Sequence, residues 1–400
     1  MTLPESNQDS KAGERGGLMR VCFVLLRAYA VFRPEINERF GGAEVRLYHI
    51  ARALARREGV EVHVLSRDFG QPAHEIIDGV HLHRFYQGGA GLRKIPGMKN
   101  LLSPFGLYAA LKRIRPDVLV QFCAGMETGI VGHYSARHGV PSVFMVSSDP
   151  DVDGRFESQS PFWLRRSYLY GLERMDAVIC QNTYQREQLE ARFGRSGPVI
   201  PNPVDVAETC EPPRGKRVLW VGRAIALKRP GWFLDLAESL PEVDFQMVLA
   251  EGHDRPFFEK TVERASSIAN LRLATSVPFQ EVDAYFREAG LFVSTSEHEG
   301  LPNTFLQAMR LGVPVVSTGV DPNGMLSQGG AGCCVEHDIA ALREAVVGLL
   351  EDAERRSRAG RAAWEYVRSH HEIGAIVERY AAVFESVWKE RGGWKGAGAE

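Results

Sequence analysis

The chain has 400 residues, 44% of them apolar and 24% charged, with a formal net charge of −2. One ordinary core of that size is excluded, because cores stop growing at roughly 250–300 residues, so two domains are expected. The small net charge gives no footprint for general nucleic-acid binding, and no run of about 18 uncharged apolar residues exists to span a membrane.

The first 18 residues are polar and rich in Gly, Ser and Glu, a composition that predicts disorder. The stretch "RVCFVLLRAYAVF" after them does not read as a signal peptide. Arg27 interrupts it, and no small-residue cleavage site follows. Strands are predicted at 20–26, 60–66, 80–85, 118–122, 141–146 and 177–181, with helical patterns between most of them. Leu47, Ile50, Ala51 and Leu54, for example, recur at helical spacing on one face. The segment "PNPVDVAETCEPPRGK" (201–216) has no period and reads as a linker. Strand and helix then alternate again, with strands at 217–222, 245–250, 271–275, 291–296 and 313–318, before long helical patterns from about 339 to 390. Alternation of this kind implies parallel sheets. The fold class expected is α/β, with two Rossmann-like doubly wound domains facing a cleft. The boundaries read as a tail (1–18), a first domain (19–203), a second domain (204–370) and a C-terminal helix with a polar tail (371–400) packing back on the first domain.

The six cysteines, Cys22, Cys123, Cys180, Cys210, Cys333 and Cys334, are scattered in mostly apolar runs. That suits reduced thiols in a cytoplasmic protein better than a disulfide framework. Cys333, Cys334 and His337 lie close together, but no second pair stands at zinc-like spacing, so no metal site is expected there.

Three turns can carry chemistry. In "RFGGAEVRLYHIARAL", Gly41 and Gly42 precede a helix, where backbone N–H groups and the helix N-terminus favour an anion; a plain loop is the alternative. In "VGRAIALKRPGW", Gly222 ends a strand, and Arg223, Lys228 and Arg229 stand before the next helix. Cations at a helix N-terminus oppose its dipole, a cost that makes sense if an anion binds between them; a solvated basic loop is the alternative. In "STSEHEGLPNTFLQAMRLG", Glu299 precedes Gly300, Leu301, Pro302 and Asn303, and Gln307 follows in the helix. Free N–H groups in this turn can point into the cleft, and an ionised Glu299 suits sugar hydroxyls. A diphosphate held by the first two turns and a polyol held by the third together describe a nucleotide sugar.

With "FGGAE", "IPNPVD", "VGRAIALKRP" and "STSEHEGLPNTFLQAMRLGVPVVST" in view, the chain from about Met19 onward resembles the retaining glycosyltransferases of family 4, of the two-Rossmann-domain GT-B type. The resemblance implies transfer of a sugar from a nucleotide-diphosphate sugar, UDP rather than GDP. The acceptor would be a glycan, lipid-linked or small molecule, in polysaccharide or glycoconjugate biosynthesis. It implies that Arg223 and Lys228 bind the diphosphate, that Glu299 binds the donor sugar, and that Val277 in "TSVPF" meets the base through its backbone. It implies no cofactor and no obligatory metal. Two departures stand out. Family members carry a second Glu where this chain has Gln307, and many carry a His near Ser147–Ser148, where this chain has none; Asp149 remains, facing acceptor or sugar. A nucleotide-sugar epimerase of the same architecture and a non-catalytic nucleotide-sugar binder are the alternatives.

The segment "DPDVDG" (149–154) also matches the start of a calcium loop, but its twelfth position is Ser160 rather than Glu. A D-x-D metal–nucleotide site is a further alternative, and a polar loop at the cleft is the main reading. The stretch 91–117 interleaves Arg93, Lys94, Lys99, Lys112, Arg113 and Arg115 with apolar residues. It suits either peripheral contact with an anionic membrane near a lipid-linked acceptor or a solvated basic helix face.

Overall fold

The computed structural model describes residues 18–36, 40–85, 98–210, 215–275 and 277–392, without the side chains of 98–104. The expectations for the N-terminal tail, for 91–97 and for the last eight residues lie outside them. Among the described residues, the strands form two sheets. The first contains β1 (Met19–Val24), β2 (Val60–Ser66), β3 (His74–Ile77), β4 (Val80–Arg84), β5 (Val118–Phe122), β6 (Ser142–Met145) and β7 (Ala177–Ile179). Its order is β3-β4-β2-β1-β5-β6-β7, and it is parallel except for the β3–β4 pair. The second contains β8 (Val218–Arg223), β9 (Phe245–Ala250), β10 (Leu271–Thr275), β11 (Leu291–Ser294), β12 (Val315–Thr318) and β13 (Gly332–Val335), in the order β10-β9-β8-β11-β12-β13, all parallel.

Both sheets are doubly wound. The chain starts in the middle, builds outward on one side, then crosses to the other. The order reverses between β1 and β5 in the first sheet and between β8 and β11 in the second, and ligands bind outside the strand C-termini at such points. Side chains alternate between two apolar layers: Val21 and Phe23 enter one core, Cys22 and Val24 the other. In the second sheet Val218 and Trp220 face one layer and Leu219 the opposite one. Burial on both faces explains why these strands read as continuous apolar runs.

Two strands are absent from the sequence reading. β3 pairs antiparallel with β4 through Asp78 (φ 51°) and Gly79 (φ 80°). Positive φ at both central residues is the hairpin turn that Asp-Gly favours. β13 is only "GCCV"; its alternation sends Cys333 and Cys334 to opposite layers. All six cysteines are free. The predicted strand 291–296 stops at Ser294; Thr295 beyond it is buried and its hydroxyl bonds to the neighbouring turn.

The final helix, Ile373–Glu390, returns to the first sheet. Ile376, Val377, Tyr380, Ala381, Phe384 and Val387 join its core. There Tyr380 meets Arg46, which is 0% exposed and has no carboxylate partner among the described residues. The guanidinium is satisfied by the Tyr380 hydroxyl (2.8 and 3.1 Å) and the Val146 carbonyl (2.6 Å), and it lies over the Tyr380 and Phe122 rings.

Two strands of chain cross between the halves, side by side. Val204 N–H donates to the His371 carbonyl (2.9 Å). The His371 ring, Nδ1 2.9 Å from the Asn202 carbonyl, is buried, and burial pulls its pKa down to about 4. The unfolded chain therefore binds this proton between about pH 6.5 and 4 while the folded chain does not. Stability at this group falls as pH drops through that window. The apparent unfolding midpoint should fall across it, with a shallower slope in His371→Asn; equal slopes would show that His371 stays protonatable in the fold.

Candidate active site

The β8 and β11 turns flank the second switch point because those strands are neighbours. After Arg223 the chain makes a 3-10 turn, Ala226–Lys228, and reverses at Arg229 (φ 44°) into the helix Pro230–Ser239. After β11, Thr295 locks the two turns together. Its hydroxyl donates to the Lys228 carbonyl (2.7 Å) and accepts from Trp220 Nε1 (3.0 Å). Glu297 N–H donates to the Leu227 carbonyl (2.9 Å). Gly222 sits where a Cβ would lie 2.8 Å from the Trp220 ring.

The charges pair in a way the sequence did not suggest. Lys228 Nζ lies 2.6 Å from Glu299 Oε1, each side chain 18% exposed. Arg229 pairs with Glu297 (3.1 Å), approaches His337 Nδ1 (3.2 Å) and covers the Trp232 ring. The dipole cost of cations at this helix start is thus offset by two carboxylates from the neighbouring turn. The half-buried Arg223 side chain has no ion-pair or hydrogen-bond partner among the described residues. Arg223 is thus the cation of this turn left without a carboxylate, while Lys228 is shared.

Pro302 caps the helix Asn303–Met309. The turn before it touches the first domain. Asn303 Nδ2 donates to the Gly42 carbonyl (3.0 Å), and Asn303 Oδ1 accepts from Asn202 Nδ2 (2.8 Å). The Gly300 carbonyl accepts from Asn182 Nδ2 (2.8 Å). A Cβ on Gly300 would sit 2.7 Å from Gln185 Nε2 and 3.1 Å from Asp149 Oδ1. Glycine is what lets these surfaces meet. Leu301 and Pro302 are buried beneath, and Gln307 is half-buried with no hydrogen-bond partner among the described residues. Val277 packs on the second domain's core, and the nearby Phe279 ring meets Phe40 of the first domain edge-on at 6.1 Å.

On the first-domain side, Gly41 caps the helix Gly42–Leu54, but its N–H already donates to Glu44 Oε2 (2.8 Å). Each aspartate of "DPDVDG" is engaged. Asp149 Oδ1 accepts from Gln185 Nε2 (3.0 Å). Asp151 accepts from the N–H groups of Ser147 (2.8 Å), Ser148 (3.0 Å) and Ala124 (3.2 Å). Asp153 holds Arg155 Nε (2.8 Å). These contacts build a rigid polar loop, with only Asp149 beside the donor turn. The structure thus brings Asp149, Gly42, Gly300 and Asn303 together, and pairs Lys228 with Glu299, while Arg223 ends the neighbouring strand β8. Sequence reading missed Gln181, Asn182, Gln185 and Asn202, which hold Asp149, Gly300 and Asn303 in place. Asn182 carried a signal: it caps the helix Thr183–Phe193 directly after β7. An open pocket of 640 Å³ behind the crossing, lined by Tyr366, His370 and Arg379, holds none of the predicted site residues.

Two facing doubly wound domains with charged turns at a switch point define a GT-B fold. Sucrose-phosphate synthase from Thermosynechococcus elongatus superposes with a TM-score of 0.72 at 16% identity, over 93% of this chain and all (100%) of that one. Anabaena HepE, in complex with UDP and glucose, gives 0.70 at 16% identity over 92% and 100%. Residues 40–208 match the pattern of Glycosyltransferase Family 4, and residues 215–352 match Glycosyl transferases group 1. The chain belongs to glycosyltransferase family 4, and is a nucleotide-sugar-dependent retaining enzyme of class EC 2.4. A GDP-mannose-dependent alpha-mannosyltransferase of Mycolicibacterium smegmatis is 29% identical over 76% of this chain and 84% of its own length. The lipopolysaccharide core biosynthesis glycosyltransferase LpsE of Rhizobium meliloti is 23% identical over 86% and 96%.

Asn303→Ala removes both hydrogen bonds that bridge to Gly42 and Asn202 and leaves a buried amide short of a partner, at a cost of about 1–3 kcal/mol. Small-angle scattering should then report a more open molecule, and donor affinity should fall about tenfold. Unchanged scattering and affinity would show that the contact holds nothing closed.

Proposed function

We propose that the enzyme moves a sugar from a nucleoside diphosphate, UDP before GDP, to a glycan or lipid-linked acceptor in polysaccharide or glycoconjugate synthesis. In this reading 19–203 holds the acceptor and 204–370 the donor. The observation that supports it most is Arg223, an unpartnered cation at the β8/β11 switch point beside the Lys228–Glu299 pair.

Departure of the diphosphate from the anomeric carbon leaves an oxocarbenium-like sugar and gathers negative charge on the leaving phosphate. Arg223 would meet that charge with its planar fork. Lys228 has three N–H donors, so it can reach phosphate while one stays on Glu299. Both would act electrostatically, not as acid or base. Glu299 would accept from donor-sugar hydroxyls, and the backbone around Gly300, Leu301 and Asn303 would line the phosphates with Gly41 and Gly42. Val277 would face the base. Retention fits same-face attack, with the leaving phosphate taking the acceptor's proton; Asp149 would orient acceptor or sugar. The LpsE likeness favours a lipid-linked acceptor. Approach along 91–117 would use Lys112, Arg113 and Arg115, which are exposed. Leu107, Ala110, Leu111 and Ile114 of that helix are committed to the core.

A panel of nucleoside diphosphates and their sugars should raise the unfolding midpoint for one base only. Arg223→Ala and Lys228→Ala should lose that shift and about 10²-fold in turnover. Turnover within a few-fold of wild type in either variant would overturn the diphosphate assignment. Stabilisation by GDP and not UDP would reassign the base, as the mannosyltransferase likeness suggests.

A further inference from the structure

At the β3 edge of the first sheet, far along the strands from the donor turns, four histidines share one face. His63 on β2 is the direct register partner of His81 on β4, and His83 on β4 is the partner of His74 on β3. Alternation puts His63 on the face of Leu65, and His81 and His83 on the face of Phe85, the side covered by Leu107 and Leu111 of the helix Met98–Ile114. The rings form a closed quadrilateral. His63–His81, His81–His74, His74–His83 and His83–His63 are 4.8, 5.3, 4.6 and 5.1 Å apart between centroids. One nitrogen each from His63, His81 and His83 lie within 4.8 Å of one another.

One ring nitrogen of this cluster is left without a hydrogen-bond partner. His63 Nε2 lies 2.9 Å from Glu61 Oε1, and a carboxylate only accepts, so that nitrogen carries the hydrogen. The other nitrogen, Nδ1, then points a lone pair at His83 Nε2, 2.9 Å away. If His83 Nε2 supplies the proton, its own Nδ1 is left bare, buried and without a partner. Glu61 is in turn held by Arg20 (3.0 Å), so it is fixed in the orienting position. A carboxylate that fixes the tautomer of an imidazole whose other nitrogen faces inward is the arrangement that supports metal-ligating histidines.

We propose that His63, His81 and His83, with His74 at the open edge, bind a late first-row divalent cation such as zinc and clip the β3–β4 hairpin onto β2. Imidazole nitrogen is the donor such ions favour over magnesium or calcium. Zinc–nitrogen bonds of about 2.0–2.1 Å in a tetrahedron set the nitrogens about 3.3 Å apart.

The test uses the untagged full chain, stripped with chelator and then titrated with zinc. One zinc per chain should bind and raise the unfolding midpoint, and X-ray absorption should show a nitrogen-dominated shell at about 2.0–2.1 Å. His81→Asn/His83→Asn should lose the shell and the zinc shift while keeping the nucleotide-induced shift, which reports that the fold and donor cleft are intact. Should that double variant fail to fold, His81→Asn alone at its half-buried position, and Glu61→Gln, should weaken zinc at least tenfold. Zinc retained with unchanged affinity in the variants, a sulfur-containing shell, or no binding by the wild-type chain would overturn the proposal.

Discussion

The relation between the two domains depends on Asn202. It is 1% exposed and lies where the chain first leaves the N-terminal half. Its side-chain oxygen accepts from Gln181 Nε2 (2.8 Å), its amide donates to Asn303 Oδ1 (2.8 Å), and its carbonyl faces the His371 ring (2.9 Å). One residue thus touches the turn after β7, the start of the helix Asn303–Met309 and the returning chain. A buried amide needs these partners. Of these, the bond to Asn303 crosses between the halves, and a single hydrogen bond exchanged for water costs little net free energy. That combination gives a contact specific in its closed geometry yet weak enough to release a product.

Within the cleft, the enzyme supplies its own counter-ions. Glu297 and Glu299 come from the β11 turn, while Arg229 and Lys228 come from the β8 turn. Parallel neighbours deliver opposite charges to the same rim because both turns leave the sheet at its C-terminal edge. The hydroxyl of Thr295 and the N–H of Glu297 fix their spacing. Against this neutral background Arg223 is the remaining charge, and it sits on the last residue of a rigid strand rather than on a loop. A cation so placed is pre-organised, which is what electrostatic stabilisation of a leaving group asks for.

The doubly wound fold was legible because strands buried on both faces read as continuous apolar runs and helices between them keep their own period. The strand-end turns were legible because glycine, proline and charge interrupt those runs. What was not legible is pairing across the chain. Nothing near residue 228 says that its lysine will meet a carboxylate 71 positions on. Nothing in "QNTYQ" says that Gln185 will hold Asp149, 36 positions back. Those contacts come from the strand order, which sequence spacing does not encode. The helix dipole opposes the cations of one turn, and the carboxylates that offset them stand in the next turn, out of sight of the local sequence.

The β3–β4 hairpin shows the same limit from the other side. "HEIIDGVHLHR" carries its turn in plain view, as Asp78–Gly79 between two short alternating runs. Once that turn is placed, the two-residue period fixes everything after it. Ile77 opposes Val80, Glu75 opposes Leu82, and His74 must oppose His83. Parallel pairing with β2 then sets His63 against His81. Reading "VHLHRF" as a lone strand hides this, because a histidine alternating with apolar residues looks like an ordinary solvated face. The register turns four scattered histidines into one cluster, and a one-residue slip in either pair would have sent one of the four to the opposite face.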